Sequence, residues 1–240
     1  INKIYLWPTE IKKTYLGSTL IYDKTATPNW LLNNLVSYYE FENNALDSHG
    51  TNNWTNFWTS DVAGKIGRGR SFDWVNDYVS GVAALWTSWT SLFMWINQDT
   101  TVTQYYYNLR ETMSNANNRV IFYYTSWLLR VFNTNWWNTL FFDYAIDLST
   151  WGFRHIWFTH NWNWCKLYVD WVEVASWNIW AIASVYTIDD FRRLGSRWDW
   201  AVNYDGVMDE PWIWNRELTQ TDVDNLYNNW AWLSYDNFTT

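Results

Sequence analysis

Residues 167–174 read Leu-Tyr-Val-Asp-Trp-Val-Glu-Val, and this stretch decides the fold. On each side of Asp170-Trp171 the side chains alternate with a period of two, which is the pattern of a half-buried β-strand. Two such strands separated by two residues predict a β-hairpin, whose central residues adopt positive φ and favour Asp-Gly or Asn-Gly. The stretch therefore predicts an antiparallel pair of strands, with Trp171 at a position that suits glycine.

Strand-like segments recur at intervals of about 8–12 residues on both sides of this hairpin, as in sandwiches and barrels. The other segments are 36–41, 70–73, 78–80, 92–97, 103–109, 119–124, 128–133, 140–144, 154–159 and 207–214. One helix is predicted over residues 219–227, where Thr219 or Thr221 can act as the N-cap. No strand–helix–strand alternation is present, which argues against a parallel α/β sheet.

Two stretches between these strands are expected to lie at the surface. Residues 43–57 are polar and are expected to form one long loop. Arg192-Arg193 is expected to be solvated surface. At the N-terminus, residues 1–30 are expected to form short β repeats and a linker.

Tryptophan occurs 24 times and glycine 9 times, although glycine averages about 7% of residues in proteins. Tryptophan normally occupies half-buried strand positions, yet here it stands among turn residues. Examples are Asp170-Trp171, Asn135–Asn138, Asn161–Trp164, Ser176–Asn178 and Asn229-Trp230.

An internal repeat provides a comparison within the chain. Residues 5–11 read YLWPTEI and residues 15–21 read YLGSTLI, so that Trp7 aligns with Gly17. We hypothesise that most of these tryptophans stand where the natural chain has glycine. A genetic code that reads UGA as glycine, translated with a table that reads it as tryptophan, produces this pattern. Trp95 and Trp214 lie in apolar segments and are expected to be genuine; the alternative is a Trp-rich surface that stacks on glycans.

Charge and apolar content exclude several classes of protein. The formal net charge of −8 argues against a nucleic-acid partner and against an anionic membrane surface. The longest apolar runs, such as Val120–Tyr124, are too short to span a bilayer, so membrane insertion is not expected. The start of the chain lacks the pattern of a signal peptide. Cys165 is the single cysteine, so no intramolecular disulfide is expected, and a small buried residue is its expected role.

Several segments, in chain order, resemble the laminin-G-like, concanavalin A-like lectin family. They are the opening strand and loop at 35–50, the Phe-Asp-Trp-Val-Asn-Asp-Tyr-Val turn at 72–79 with Trp74 in place of glycine, the strand at 93–96, the hairpin at 153–156 and 167–174, and the closing strand and helix start at 208–219. The resemblance covers residues 33–232 and implies an all-β, antiparallel β-sandwich of jelly-roll type over residues 31–240. The first 24 residues are similar to leader segments of phage and prophage structural proteins.

The resemblance also implies a calcium ion near the opening loop and the closing strand. Calcium takes six to eight oxygen ligands, often from loop Asp, Asn and backbone carbonyls. Asn43, Asp47 and Asp209 are the predicted ligands. The alternative is that Asp47 caps a turn and Asp209 hydrogen-bonds a loop.

Three functions remain open. The first is a non-catalytic carbohydrate-binding or adhesion module, outside a cell or on a virion, with Asn76, Asp77 and Tyr78 as ligand-binding residues and a glycan or surface receptor as partner. The alternative for Asn76, Asp77 and Tyr78 is that they only shape a hairpin. The second is a structural or protein-binding module of a phage tail or surface assembly, with other virion proteins as partners. The third, a glycoside hydrolase, needs paired carboxylates on one strand, and no Glu-x-Asp-x-x-Glu motif is present.

Overall fold

The structure is a computed structural model, and it describes residues 13–16, 19–23, 29–81, 85–86, 90–110, 119–134, 139–150, 152–161, 164–178, 187–188, 191–197 and 202–227. The elements are β1 (Lys13–Leu16), β2 (Thr19–Asp23), a 3₁₀-helix (Asn29–Leu32), β3 (Leu35–Tyr38), β4 (Thr55–Phe57), β5 (Ser60–Ala63), β6 (Arg68–Asp73), β7 (Tyr78–Gly81), β8 (Leu85–Trp86), β9 (Thr90–Gln98), β10 (Gln104–Arg110), β11 (Arg119–Thr125), β12 (Leu128–Thr134), β13 (Thr139–Ala145), β14 (Arg154–His160), β15 (Trp164–Val169), β16 (Val172–Asn178), β17 (Thr187–Ile188), β18 (Phe191–Leu194), β19 (Asp205–Trp214) and α1 (Gln220–Tyr227).

Two antiparallel sheets form a β-sandwich, and the predicted fold class is confirmed. The seven-stranded sheet has the order β13-β12-β11-β10-β18-β7-β4. The eight-stranded sheet has the order β16-β15-β14-β9-β19-β6-β5, and β3 also pairs with β19. Small two-stranded pairs are formed by β1 with β2 and by β8 with β17. In the described residues, no helix combines the length and the apolarity needed to cross a bilayer.

The main core lies between the two sheets because alternate residues of each strand face inward. Leu92, Met94 and Ile96 of β9 contribute to it from the eight-stranded sheet. Phe122 and Tyr124 of β11 contribute from the seven-stranded sheet. Each fully buried aliphatic or aromatic side chain of this kind stabilises the fold by about 1.5–3 kcal/mol.

A second apolar layer covers the outer face of the eight-stranded sheet. Phe93, Trp95, Trp157, Trp212 and Trp214 point away from the main core and form an outer cluster. The 3₁₀-helix adds Leu31 to this cluster, and α1 adds Val223 and Leu226. The outer face of this sheet is therefore covered by the two helical segments.

Helix α1 confirms the predicted helix and its cap. The backbone N–H of Asp222 donates to Thr219 Oγ1 at 3.2 Å, and the backbone N–H of Thr219 donates to Asp222 Oδ2 at 2.6 Å. This reciprocal pair is a capping box with Asp in place of Glu. Asp222 also pairs with Arg216 at 3.0 Å, which ties the start of the helix to the end of β19.

The predicted hairpin at Asp170-Trp171 is present, with φ of 45° and 76° at its two central residues. Trp74, in the turn after β6, has φ of 69°. Trp58 and Trp127 also have positive φ, at 63° and 67°. A non-glycine residue in this left-handed region is unusual, and a bulky residue there is an outlier. We call Trp58, Trp74, Trp127 and Trp171 the reversal tryptophans.

Three sequence predictions need correction. Trp177 does not lie at a chain reversal: it is part of β16, half-buried, with its ring 5.3 Å from that of Phe142. Residues 43–57 are not a single loop, because Thr55–Phe57 pairs with β7. Arg192 and Arg193 are not solvated surface; both are buried in β18, a strand too short to give a clear alternation. The predicted turns at 135–138, 162–163 and 229–230 lie outside the described residues.

Candidate functional site

The predicted ligand residues Asn76 and Asp77 lie in the turn that joins β6 to β7, and Tyr78 is the first residue of β7. Asp77 is buried, and its Oδ2 accepts a hydrogen bond of 3.1 Å from the backbone N–H of Asp73. Asn203 donates to the backbone oxygens of Trp74 and Val75 at 3.1 Å and 2.8 Å. Burial, followed by the nearby Asp73 carboxylate, raises the pKa of Asp77. Asp77 therefore shapes the turn, and its role as a ligand-binding residue stays a prediction.

Tyr78 belongs to an aromatic group on the outer face of the seven-stranded sheet. Its ring stacks on Phe57 of β4, with centroids 4.3 Å apart and an interplanar angle of 5°. The guanidinium of Arg193 lies 4.2 Å from the ring centroid of Tyr78. Trp58 follows β4, lies 6.0 Å from Tyr78 and is 64% exposed. We call Phe57, Trp58, Tyr78 and Arg193 the edge cluster.

The sequence predicts only Tyr78 among these four residues. Phe57 and Arg193 lie far from Tyr78 in the chain, and each reaches it through a pairing of short strands, β4 with β7 and β18 with β7. Such pairings do not follow from alternation within one strand, because alternation gives the face of a strand and not its neighbour. The signal that could have located Phe57 is the apolar pair Phe57-Trp58 inside an otherwise polar stretch.

Asp47, a predicted calcium ligand, holds the loop that follows β3. Its Oδ1 accepts hydrogen bonds from the backbone N–H groups of Tyr38 at 3.1 Å and His49 at 3.0 Å. Its Oδ2 accepts from the N–H of Asn52 at 3.1 Å. Asn43, the third predicted ligand, is exposed and has φ of 63°. Both oxygens of Asp47 are therefore engaged by the chain itself.

Asp209 is fully buried at a bulge in β19. Its Oδ2 accepts hydrogen bonds from the backbone N–H groups of Lys65 at 2.7 Å and Ile66 at 2.9 Å, and its Oδ1 accepts from Glu210 at 2.9 Å. Burial raises the pKa of Asp209 to about 7, although these N–H groups act in the opposite direction. Glu42 supports the same loop by accepting from the N–H of Arg68 at 2.8 Å.

Carboxylates in this region thus hold backbone in place. Tyr38 donates its hydroxyl to Glu210, which is also buried. Over the described ranges, no three His, Cys, Asp or Glu side chains are grouped so that they could hold a metal ion. Backbone carbonyls and amide oxygens are further calcium ligands, so calcium at Asn43, Asp47 and Asp209 stays a prediction.

No protein-family model and no curated protein matches the chain. Several solved structures share its fold. Domain 4 of AbnA, a GH43 extracellular arabinanase from Geobacillus stearothermophilus solved in complex with arabinotriose, has a TM-score of 0.66 at 18% identity, over 80% of this chain and 97% of that domain. The binding domain of Paraclostridial Mosquitocidal Protein 1 has a TM-score of 0.68 at 16% identity, over 83% of this chain and 53% of that one.

The ligand-binding domain of botulinum neurotoxin serotype D, solved in complex with N-acetylneuraminic acid, has a TM-score of 0.63 at 15% identity. The alignment covers 86% of this chain and 53% of the toxin domain. The chain therefore spans about half the length of the toxin binding domains and nearly all of the arabinanase domain. At these identities the likeness establishes the β-sandwich fold.

Proposed function

We propose that this chain is a non-catalytic carbohydrate-binding module of the laminin-G-like, concanavalin A-like type, which acts outside a cell or on a virion. The observation that carries the proposal is the edge cluster, in which a parallel Phe57–Tyr78 ring stack lies on the outer face of the seven-stranded sheet. Flat aromatic groups with a few polar neighbours suit the apolar faces of sugar rings. Asn76, half-buried in the adjoining turn, supplies a polar group.

The fold neighbours support a binding role rather than a catalytic one. The arabinanase domain was solved with arabinotriose, and the serotype D toxin domain with N-acetylneuraminic acid. Another neighbour is described by its dependence on two ganglioside molecules for cell entry. We extend glycan recognition from those proteins to this one as a proposal, with a glycan or glycosylated surface receptor as partner.

Display on a virion and contact with other virion proteins belong to the same proposal. They rest on the likeness of the first 24 residues to phage leader segments. Within that segment, β1 pairs with β2 as an antiparallel strand.

Calcium binding at Asn43, Asp47 and Asp209 is also part of the proposal. A calorimetric titration of the whole chain measures it. Heat of binding at micromolar to millimolar Ca²⁺ that is lost in Asp47→Asn supports the site, and no heat at millimolar Ca²⁺ removes it.

We further propose that the reversal tryptophans stand where the natural chain has glycine. Their positive φ supports this proposal, because Gly67, Gly152 and Gly195 occupy the same left-handed region. The indole of Trp58 is then absent from the natural edge cluster. The Phe57–Tyr78 stack does not depend on the residue at position 58, and it would become more open to a ligand.

A glycan array tests the proposed function. We expect specific binding to one group of oligosaccharides. Phe57→Leu removes the stacked ring but keeps an apolar side chain, and should weaken binding about tenfold, which corresponds to about 1.4 kcal/mol. Phe153→Leu is the matched control, because Phe153 packs against the outer cluster of the other sheet and should leave binding unchanged. A protein that binds no glycan on the array contradicts the proposal.

A further inference from the structure

A second aromatic group lies on the outer face of the seven-stranded sheet, across β10 to β13. The register places Tyr105 opposite Tyr123, Tyr123 opposite Arg130, and Arg130 opposite Asp143. Residues directly opposite one another in an antiparallel sheet share a face. Phe132 and Phe141 form the next row on the same face. We call Tyr105, Tyr123, Arg130, Phe132, Phe141 and Asp143 the outer strip.

The members of the outer strip are in contact. The rings of Tyr105 and Tyr123 stack with centroids 5.0 Å apart at 19°. Phe132 and Phe141 have centroids 5.0 Å apart. The guanidinium of Arg130 lies 4.9 Å from the ring centroid of Phe141 and 5.7 Å from that of Tyr123. The strip therefore alternates apolar rings with a charged group held between them.

Arg130 is fixed by a two-point interaction with Asp143. Its Nε and Nη2 donate to the two carboxylate oxygens at 2.5 Å and 2.6 Å, and its Nη1 donates to the hydroxyl of Tyr123 at 3.2 Å. Such a fork is rigid and has no net charge, yet it retains N–H donors and carboxylate lone pairs that are not used within the pair.

Part of this group is open to solvent. Phe141 is 52% exposed, and the side chains of Arg130 and Asp143 are 21% and 34% exposed. Ile121, Tyr123 and Phe132 on the same face are buried and form a cluster separate from the main core. The exposure of Phe141 contrasts with the outer face of the eight-stranded sheet, where α1 and the 3₁₀-helix cover the apolar residues.

We propose that the outer strip is a binding subsite for a neutral sugar residue, distinct from the edge cluster. This proposal rests on the proposed glycan-binding function and specifies its ligand class. A sugar ring has an apolar face for Phe141, and vicinal hydroxyl groups that can both donate and accept, which matches the Arg130–Asp143 fork. An acidic sugar gains no ion pair here, because Asp143 already neutralises Arg130. The net charge of −8 also disfavours anionic glycans.

The test uses the whole chain and an array of neutral oligosaccharides together with their sialylated derivatives, for example lactose and sialyllactose. We expect the neutral member of each pair to bind more tightly. Phe141→Ala should lower that affinity about tenfold or more. Val172→Ala is the matched control, because Val172 is 62% exposed on the hairpin of the other sheet. Thermal unfolding of each variant, with Phe141→Leu as the milder change, separates binding loss from unfolding.

Asp143→Asn sharpens the test, since it leaves Arg130 with an uncompensated positive charge. We expect the preference to shift toward the sialylated member of each pair. Three outcomes overturn the proposal: tighter binding of sialylated glycans by the unmodified chain, equal binding by the Phe141→Ala and Val172→Ala variants, or silence toward all neutral glycans. Equal binding by the two variants refutes the outer strip alone and leaves the edge cluster as the site. Silence of the entire array removes the proposed function as well.

Discussion

The reversal tryptophans and the strand tryptophans Trp95 and Trp214 are the same residue type on opposite kinds of backbone. Trp58 and Trp127 are 64% and 52% exposed on a left-handed backbone. Trp214 is fully buried in β19, and its Nε1 donates to the backbone oxygen of Leu31 at 2.8 Å. Left-handed backbone costs a non-glycine residue about 1–2 kcal/mol, whereas burial of an aromatic ring stabilises the fold. The reversal tryptophans therefore carry a backbone strain that Trp95 and Trp214 do not.

Hydrogen bonding adds a second difference. The indole N–H of a buried tryptophan normally finds an acceptor. Trp214 has one, but the buried Nε1 atoms of Trp54 and Trp157 have no hydrogen-bond partner among the described residues. A buried donor left unsatisfied costs about 1–3 kcal/mol. Burial alone therefore does not identify a tryptophan that the fold requires.

Among the substitutions considered, Trp214→Ala is expected to lower the free energy of unfolding most. The substitution removes a fully buried ring that stacks on Trp212 at 5.3 Å and also removes its hydrogen bond to Leu31. We expect a loss of about 3–5 kcal/mol in the free energy of unfolding, measured by urea denaturation. A loss below 1 kcal/mol would show that the fold does not require a tryptophan at position 214.

Trp171→Gly should lower the free energy of unfolding by a smaller amount. Trp171 is a reversal tryptophan whose ring is buried, so the substitution loses packing but relieves backbone strain. Its ring stacks on His155 with centroids 4.0 Å apart at 6°. Lost packing of about 3–5 kcal/mol is offset by about 1–2 kcal/mol of relieved backbone strain, so we expect a net loss of about 2 kcal/mol. A net gain would show that the stack on His155 stabilises nothing.

His155 provides a pH-dependent readout of the same substitution. Burial lowers the pKa of His155 well below its ordinary value of 6.5. The unfolded chain therefore binds a proton below pH 6.5 that the folded chain does not, and stability is lost as pH falls through that range. Trp171→Gly uncovers the imidazole and should raise its pKa toward 6.5, which NMR titration measures. An unchanged imidazole pKa would contradict the proposed role of Trp171 as its cover.

Trp177→Gly makes the same change at a strand position. Trp177 lies within β16 and has no positive φ. Glycine in a strand interior costs about 0.5–1 kcal/mol, and the contact with Phe142 is lost as well. We expect a loss of about 1–2 kcal/mol by urea denaturation. A gain here would mean that replacement of any tryptophan by glycine stabilises the chain, whatever its backbone conformation.

Trp74→Gly and Trp127→Gly should have the smallest effects and the opposite sign. Both residues are exposed, at 38% and 52%, so little packing is lost. Relief of left-handed strain should raise the free energy of unfolding by about 1 kcal/mol each. The two gains should add in the double variant, because Trp74 lies in the connection between the two sheets and Trp127 lies in the β11–β12 hairpin. Alanine at the same positions retains most of the strain, so equal gains for alanine and glycine would refute the strain argument.

Local patterns in the sequence predict the parts of this fold that depend on neighbouring residues. The Asp170-Trp171 hairpin, the strands β9 to β16 and helix α1 follow from alternation, turn chemistry and capping. The order β10-β18-β7-β4 does not follow, because it joins strands far apart in the chain. The edge cluster and the outer strip are both built by cross-strand pairs. The turn motif places Asp77 beside Asn76 and Tyr78, but the burial of Asp77 depends on tertiary packing around that turn and does not follow from the motif.

At positions 58, 74, 127 and 171 the chain reverses direction on left-handed backbone, where a residue without a side chain fits best. The intact mass of the protein isolated from its natural source, with peptide mapping, tests this directly. We expect a mass below that of the printed sequence by a whole number of tryptophan-to-glycine differences, with glycine at positions 58, 74, 127 and 171 and tryptophan at 95 and 214. A mass equal to that of the printed sequence, with tryptophan at all four reversals, would contradict it.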